Sequence, residues 1–320
     1  MPRFSPRGAG RATEYRAVGG QVRQLKSAWR AEITSGFRWR LPGAMLAGGH
    51  PTTVWNRSPG KAGELTARGA VEAKDVVDAV AASPLVIVCV LDYDAVGESL
   101  APATGALRGR ALVNLTADTP ARAREMAAWA AGHGIDYLDG SIMTPTVTIG
   151  TDQALVLYSG PEDVWAAHRA ALASLGGTAD HLGTDPGRAA AYDVALLDLF
   201  WTTVSGYVHA LALARAENVS GKELVPYALG ITGLMSRIIP RFAEAADEGR
   251  HPGDEAVLAT AAAGMAHVVH AAEAHGLDTG VMAAAHAVAR RAVEAGYGAD
   301  SVSHLVEVLG RKGPTTPARR

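Results

Sequence analysis

The chain has 320 residues, 48% of them hydrophobic and 19% charged, the proportions of a folded globular protein long enough for two domains. Its net charge is −2, yet residues 1–42 hold eight Arg, one Lys and two Glu, a net +7 that leaves −9 for the remainder. There is no run of eighteen apolar residues to span a membrane, and the single cysteine, Cys89, excludes an internal disulfide and a cysteine-rich metal site. The basic arm lacks aromatic interleaving and a recognition helix, so it reads as a leader and no nucleic-acid partner is expected. It also lacks the basic-then-apolar layout of a secretory signal, and a cytoplasmic location is expected.

In chain order, residues 1–42 show neither helical nor strand periodicity, and the character changes at Gly43. "GAMLAGG" has the last turns of an apolar helix closed by Gly48 and Gly49. "PTTVWNR" is a strand, "SPGKAGELTARG" a loop and helix, and "DVVDAVAAS" an amphipathic helix. "PLVIVCVL" is a continuous apolar run of the kind buried on both faces of a parallel sheet, with Cys89 as a structural thiol. Strands are expected at 111–116, 136–143 and 154–160, with helices "TPARAREMAAWAAGHG" and "PEDVWAAHRAALASLG" between and after them. Such alternation predicts an α/β domain with a largely parallel, Rossmann-type sheet, ending near residue 183.

After "GTDPG" the pattern is helical only. Residues 187–217 form one apolar helix of about 45 Å, long enough to bridge two domains. Further helices are expected at 221–229, 231–249, 253–276, 278–296 and 300–309, before a disordered tail, "RKGPTTPARR". The predicted organisation is a leader (1–42), a dinucleotide-binding domain (43–183), an all-α dimerisation and substrate domain (184–310) and the tail (311–320).

The chemistry is expected at the carboxyl ends of the strands, where open α/β sheets bind their ligands. "NRSPGK" follows the strand "TTVW" directly. An acid at that strand end would bond the 2′-hydroxyl of NAD. Here Asn56, Arg57, Ser58 and Lys61 offer two cations and a hydroxyl suited to the 2′-phosphate of NADPH. Leu91, Asn114 and Thr116 lie at the next strand ends and complete the expected cofactor edge. His267, His270 and His275 have no matching further ligands, so no metal is expected.

Together "HPTTVWNRSPGKA", "VCVLDYDAV", "LVNLTADTPARAREMAAWA", "YLDGSIMTPTVTIGT", "LYSGPEDVW" and "AAYDVALLDLFWTTVSGYVHALAL" resemble the NADPH-dependent imine reductases, relatives of the β-hydroxyacid dehydrogenases. The resemblance covers residues 43 to 310. It implies hydride transfer from NADPH to the carbon of a C=N bond in small, often cyclic, imines. It also implies an interlocked homodimer whose active sites lie between the dinucleotide domain of one chain and the helices of the other. Carried onto this sequence, it makes Asp193 the catalytic acid and Leu197, Trp201 and Met235 apolar pocket walls. Hydroxyacid dehydrogenases carry a Lys and an Asn where this chain has Asp193 and Leu197, and their strand motif has a Ser where Met143 stands. An acid at 193 suits an imine and argues against that alternative.

One part of the pattern is missing. The family begins with an apolar strand and a Gly-x-Gly-x-x-Gly turn whose N–H groups cradle the pyrophosphate. Residues 20–42 read as neither, and "GAGR" (8–11) lies too far upstream. The match starts abruptly inside a helix. A frame-displaced leader is therefore the expectation, with a non-catalytic dinucleotide-fold protein that has lost its glycine loop as the alternative from another class.

Overall fold

The computed structural model describes residues 27–31, 37–58 and 60–310. Most of the basic leader and the tail from Arg311 onward lie outside them, and with these lie the expectations of a displaced leader and a disordered tail.

The elements alternate β1 (Ser27–Ala31), α1 (Phe37–Ala47), β2 (Thr52–Trp55), α2 (Gly63–Ala67), β3 (Val71–Glu72), α3 (Val76–Ala81), β4 (Leu85–Cys89), α4 (Tyr93–Leu100), α5 (Thr104–Leu107) and β5 (Ala111–Asn114). They continue with α6 (Pro120–Gly132), β6 (Asp136–Ile142), β7 (Leu155–Ser159), α7 (Glu162–Leu172) and β8 (Thr178–His181). The strands form one sheet in the order β3-β2-β1-β4-β5-β6-β7-β8, parallel except where β7 runs against β6. Its 3-2-1-4-5-6 portion is the doubly wound dinucleotide-binding order, with its switch point between β1 and β4.

β1 corrects one expectation. The first strand, read as missing, is Ser27–Ala31, paired in parallel with β2 (Ser27↔Thr52) and with β4 (Ser27↔Leu85). Without a strand there, β2 and β4 would each present unpaired N–H and C=O groups at the middle of the sheet. "SAWRA" satisfies that demand although its composition carries no apolar run to announce it. The connection to α1 still reads "EITSG", with Gly36 its single glycine, and lies outside the described residues. Two further strands escape the periodicity: β3 has two residues, and β8 ("TADH") is a half-exposed segment beside β7.

Side chains alternate across the sheet and build two cores. Leu85, Ile87, Val113 and Tyr158 pack with Leu41 and Met45 of α1 and Leu172 of α7. Val86, Val88, Leu112 and Tyr137 pack on the other face with Val96 of α4 and Leu107 of α5. Cys89 is buried, and burial pushes its thiol up to about 12, as an inert structural residue requires.

The remaining elements are helical: α8 (Arg188–Ala216), α9 (Gly221–Gly233), α10 (Met235–Glu248), α11 (Leu258–Ala274), α12 (Gly280–Ala292) and α13 (Leu305–Leu309). The expected 231–249 helix is divided, because α9 runs through Ile231 to Gly233 and α10 starts at Met235. The 253–276 helix begins only at Leu258, after an extended stretch in which Val257 bridges to Ser301. The chain divides into two compact units between Ala195 and Leu196, so the boundary falls inside α8 rather than near residue 183. α8 spans 29 residues, roughly 44 Å, and is long and apolar enough to cross a membrane by length and composition. In the second unit Leu258, Ala262, Ala289 and Ala292 form a small core between α11 and α12.

Candidate active site at the carboxyl edge of the sheet

The β2 strand end delivers Asn56, Arg57 and Ser58 in succession. Arg57, Ser58 and Lys61 are exposed, and no acid follows the strand directly. Asn56 Nδ2 donates to the Ser58 carbonyl at 3.0 Å, which folds the loop back on itself. The other end of that amide, Oδ1, is buried and has no hydrogen-bond partner among the described residues. A ribose hydroxyl is a donor of the kind this acceptor lacks, and two exposed cations suit an adjacent phosphate. The loop therefore fits the adenosine 2′-phosphate end of NADPH. Leu91 stands 62% exposed at the end of β4, an apolar surface on the same edge of the sheet.

Asn114 and Thr116, expected at the cofactor edge, are hydrogen-bonded within the sheet. Both are buried. Asn114 Nδ2 donates to Tyr137 Oη at 3.2 Å, and its Oδ1 accepts from the Thr116 N–H at 3.1 Å. Thr116 Oγ1 accepts from the Val90 N–H at 3.0 Å. They fix the ends of β4 and β5 from behind.

Asn114 begins a network that the sequence reading missed. Asp139 lies beside it in register on β6, and Ser159 of β7 is Asp139's partner on the other side. Asp139 is buried and accepts from Tyr93 Oη, and from Tyr137 Oη at 3.0 Å. Burial raises its carboxyl to about 7, the two tyrosine donors oppose that rise, and the charges of Asp193 and Asp118 add to it. The signal was in the sequence: an acid inside "DYLDGSI", a strand otherwise almost wholly buried, must have a partner or a purpose.

Ser159 ties this row to α8. Its Oγ accepts from the Ala189 N–H at 3.0 Å and donates to the Pro186 carbonyl at 3.0 Å, capping the helix from a strand remote in sequence. Asp185 adds a second clamp, accepting from Arg124 Nε at 2.9 Å, Arg124 Nη2 at 2.7 Å and the Gly187 N–H at 3.0 Å. The Arg124 guanidinium holds the Asp185 carboxyl down at about 2. Two turns of helix from these clamps carry Ala190, packed with Tyr93 and Ala123, and then Asp193. Asp193 is 5% exposed, and burial raises its proton affinity above that of an ordinary aspartate. Beyond it, Leu197, Trp201 and Met235 lie in the second unit, where all three are exposed within a single chain. The described residues contain no cluster of His, Cys, Asp and Glu able to hold a metal, and His275 instead pairs with Glu217 at 2.7 Å.

A doubly wound sheet with a basic loop after β2, followed by a long helix carrying a buried acid, has the architecture of a dinucleotide-binding protein. Comparison with known proteins narrows this. Residues 40–183 match the NAD binding domain of 6-phosphogluconate dehydrogenase, and residues 185–311 match the NADPH-dependent reductive aminase-like C-terminal domain. An NADPH-dependent reductive aminase from Aspergillus oryzae is 32% identical over 275 residues, 83% of this chain and 92% of that protein. An imine reductase from Myxococcus stipitatus, solved with NADP+, is 36% identical with a TM-score of 0.84, covering 89% of this chain and 99% of that one. A reductive aminase from Aspergillus terreus, solved with an NADPH-type cofactor, cyclohexanone and allyl amine, is 32% identical with a TM-score of 0.82 and the same coverage. The chain belongs to the NADPH-dependent imine reductase and reductive aminase family. The hydroxyacid dehydrogenase alternative is not favoured.

Proposed function

We infer that this chain reduces the C=N bond of small imines to amines with NADPH, and that Asp193 manages the proton. The observation that carries the reading is a buried carboxyl of raised proton affinity near the start of α8, one turn past Ala190, which packs with Tyr93 and Ala123 in the helices after β4 and β5. Bound NADPH supplies the hydride. Arg57, Ser58 and Lys61 hold its 2′-phosphate, Asn56 accepts from its ribose, and Leu91 covers the same edge.

An imine carbon accepts hydride well only when its nitrogen is protonated. An ordinary aspartate, with a pKa of about 3.9, is a poor donor at neutral pH. Burial of Asp193 weakens its anion and makes donation to the imine nitrogen feasible; the ionised form would instead stabilise an iminium protonated in water. In both routes the nitrogen gains one proton, the carbon one hydride, and the product is the amine.

Leu197, Trp201 and Met235 are assigned to the apolar pocket, completed by a second copy of the chain in a homodimer. Support for the dimer comes from the apolar surface of the second unit, where Trp201, Tyr227 and Ile231 are 59%, 76% and 66% exposed. Large exposed apolar surfaces mark association sites. A second copy rather than a lipid bilayer is the proposed cover of α8, and a cytoplasmic location without a nucleic-acid partner is proposed with it.

The test compares a neutral cyclic imine with its N-alkylated, permanently charged iminium, following NADPH oxidation. Asp193→Asn should cut kcat on the imine by about 10², the scale of general acid catalysis, and recover most activity on the iminium if Asp193 donates the proton. A persistent defect on both substrates selects the electrostatic route. Wild-type rates on both would overturn the assignment of Asp193.

A further inference from the structure

Beside the basic loop after β2, the same edge of the sheet carries an acid, Glu72. It closes β3 in parallel register with Val54 of β2, and the Ala73 N–H donates to the Val54 carbonyl at 2.9 Å. Glu72 thus stands one strand over from the β2 end that delivers Asn56 and Arg57. Its Oε1 accepts from the Gly60 N–H at 3.3 Å, twelve positions earlier in the chain. Gly60 has φ +72° and open space where a Cβ would stand, a left-handed conformation that glycine adopts without strain. All of these residues lie in the first unit.

Val54 and Ala62, buried in the same core, fix the loop on either side. Between them two hydrogen bonds shape it. The one from Asn56 Nδ2 to the Ser58 carbonyl is internal to the loop, whereas the one from Gly60 to Glu72 ties it to the sheet. An exposed loop loses conformational freedom when it closes on a ligand, and a tie formed beforehand removes part of that cost. We propose that Glu72 is a positioning residue for cofactor selection: by accepting from the Gly60 N–H it holds the backbone beside Lys61 in place, so that the loop takes the 2′-phosphate of NADPH in preference to the bare 2′-hydroxyl of NADH. This rests on the reading of Arg57, Ser58 and Lys61 as the group that holds the phosphate.

Two effects of opposite sign meet at Glu72. As an acceptor it orders the loop and favours the phosphate. As an anion it repels the phosphate, although at an exposed position solvent and salt screen that repulsion. The signs separate them. Glu72→Gln keeps an acceptor and removes the charge, Glu72→Asp keeps the charge and shortens the reach by one methylene, and Glu72→Ala removes both. If the contact governs, Ala and Asp weaken binding of the phosphate and Gln does not. If the charge governs, Ala and Gln both tighten it.

The experiment titrates the intact protein calorimetrically with two fragments that differ only in the group at issue, adenosine 2′,5′-bisphosphate and adenosine 5′-monophosphate. The ratio of their Kd values reads the 2′-phosphate with no contribution from hydride transfer or from the nicotinamide end. Glu72→Ala and Glu72→Asp should weaken the bisphosphate about three- to tenfold, the span of one hydrogen bond made in competition with water, and leave the monophosphate unchanged. Glu72→Gln should stay within about twofold of the wild type. Glu72 is exposed on a two-residue strand, where all three substitutions are compatible with folding. Unchanged bisphosphate binding in Glu72→Ala overturns the proposal, as does tighter binding in both Ala and Gln, or a loss in Gln as large as in Ala. Equal weakening of both fragments also overturns it, as the mark of a merely structural role. Arg57→Ala with Lys61→Ala run alongside separates the two failures: if that pair too leaves the ratio unchanged, the phosphate reading of the loop has failed; if it collapses the ratio while Glu72→Ala does not, only the role of Glu72 has.

Discussion

The two units use apolar residues in opposite ways. In the first, the large hydrophobics of β4, β5 and β6 are buried on both faces of the sheet, and Asn114, Tyr137 and Asp139 between them are hydrogen-bonded to one another. In the second, the apolar helices α8 and α9 expose Phe200, Trp201, Tyr227 and Ile231. Only α11 and α12 have a core of their own. The first unit holds within itself the buried acid on which the proposed chemistry rests. The second is built around a surface that needs a cover. The proposed chemistry and the proposed assembly thus draw on different halves of one chain, with the boundary inside α8.

Breaking the second unit's surface should have the largest effect. Tyr227→Asp with Ile231→Asp places two charges on residues exposed in a single chain, where surface substitutions cost within about 0.5 kcal/mol. If a second copy covers them, burying the charges costs several kcal/mol, and the dimer should dissociate with loss of activity. Val71→Asp is the control in the first unit: Val71 is 62% exposed on β3, and its substitution should leave mass and melting temperature unchanged. Sedimentation velocity reads the mass, and thermal unfolding the melting temperature. An unchanged sedimentation coefficient and melting temperature for the Tyr227/Ile231 pair would remove the dimer.

The next effect belongs to the chemistry of the first unit. Asp193→Ala should lower kcat for a neutral imine by about 10² or more while the melting temperature holds or rises, because an acid in an apolar site is retained for function rather than stability. A drop in melting temperature with intact kcat would make Asp193 structural. Smaller again is cofactor selection. Arg57→Ala with Lys61→Ala removes charge-assisted bonds that, on an exposed loop, are together worth about 1.5–3 kcal/mol. The KM for NADPH should rise ten- to a hundredfold while that for NADH hardly moves. Equal responses with both cofactors would mean that these cations do not read the 2′-phosphate.

How much of this was legible depends on what each element shows locally. β4, "LVIVC", announces itself because a strand buried on both faces reads as unbroken apolar sequence. α8 does so through length. β1 does not, since the partners on either side dictate its place and its own residues do not. The unit boundary within α8 was hidden because nothing in a helix's composition changes where its contacts do. At the site, Arg57 and Lys61 were readable because a loop after a strand has few other uses for a tight basic cluster. Asn114 and Thr116 are legible as polar strand-end residues, whereas their hydrogen bonds to Tyr137 and Val90 depend on neighbours distant in sequence. Asp139 was overlooked because its meaning lies in Tyr93 and Tyr137, one of them 46 positions away.

Ser159 supplies the smallest effect and tests how finely the first unit places its acid. Its hydroxyl receives the Ala189 N–H and is received by the Pro186 carbonyl, so one side chain satisfies a donor and an acceptor at the buried start of α8. Gly160 follows with φ +134°, so close to β6 that a Cβ would stand 2.8 Å from the Tyr137 carbonyl oxygen; the strand end cannot shift to compensate. Ser159→Ala leaves both partners unsatisfied and should destabilise by about 1–2 kcal/mol, the cost of losing a helix cap. Ser159→Thr keeps the hydroxyl but adds a methyl to a fully buried site, so it should also destabilise while restoring the cap. The two variants separate packing from positioning. If the cap sets where Asp193 stands, Ser159→Ala should lower kcat on a neutral imine several-fold more than Ser159→Thr does, at temperatures where both are folded, and both should leave the KM for NADPH alone. Equal kcat in the two variants would show that Asp185, through Arg124 and Gly187, holds the helix start without help from the sheet.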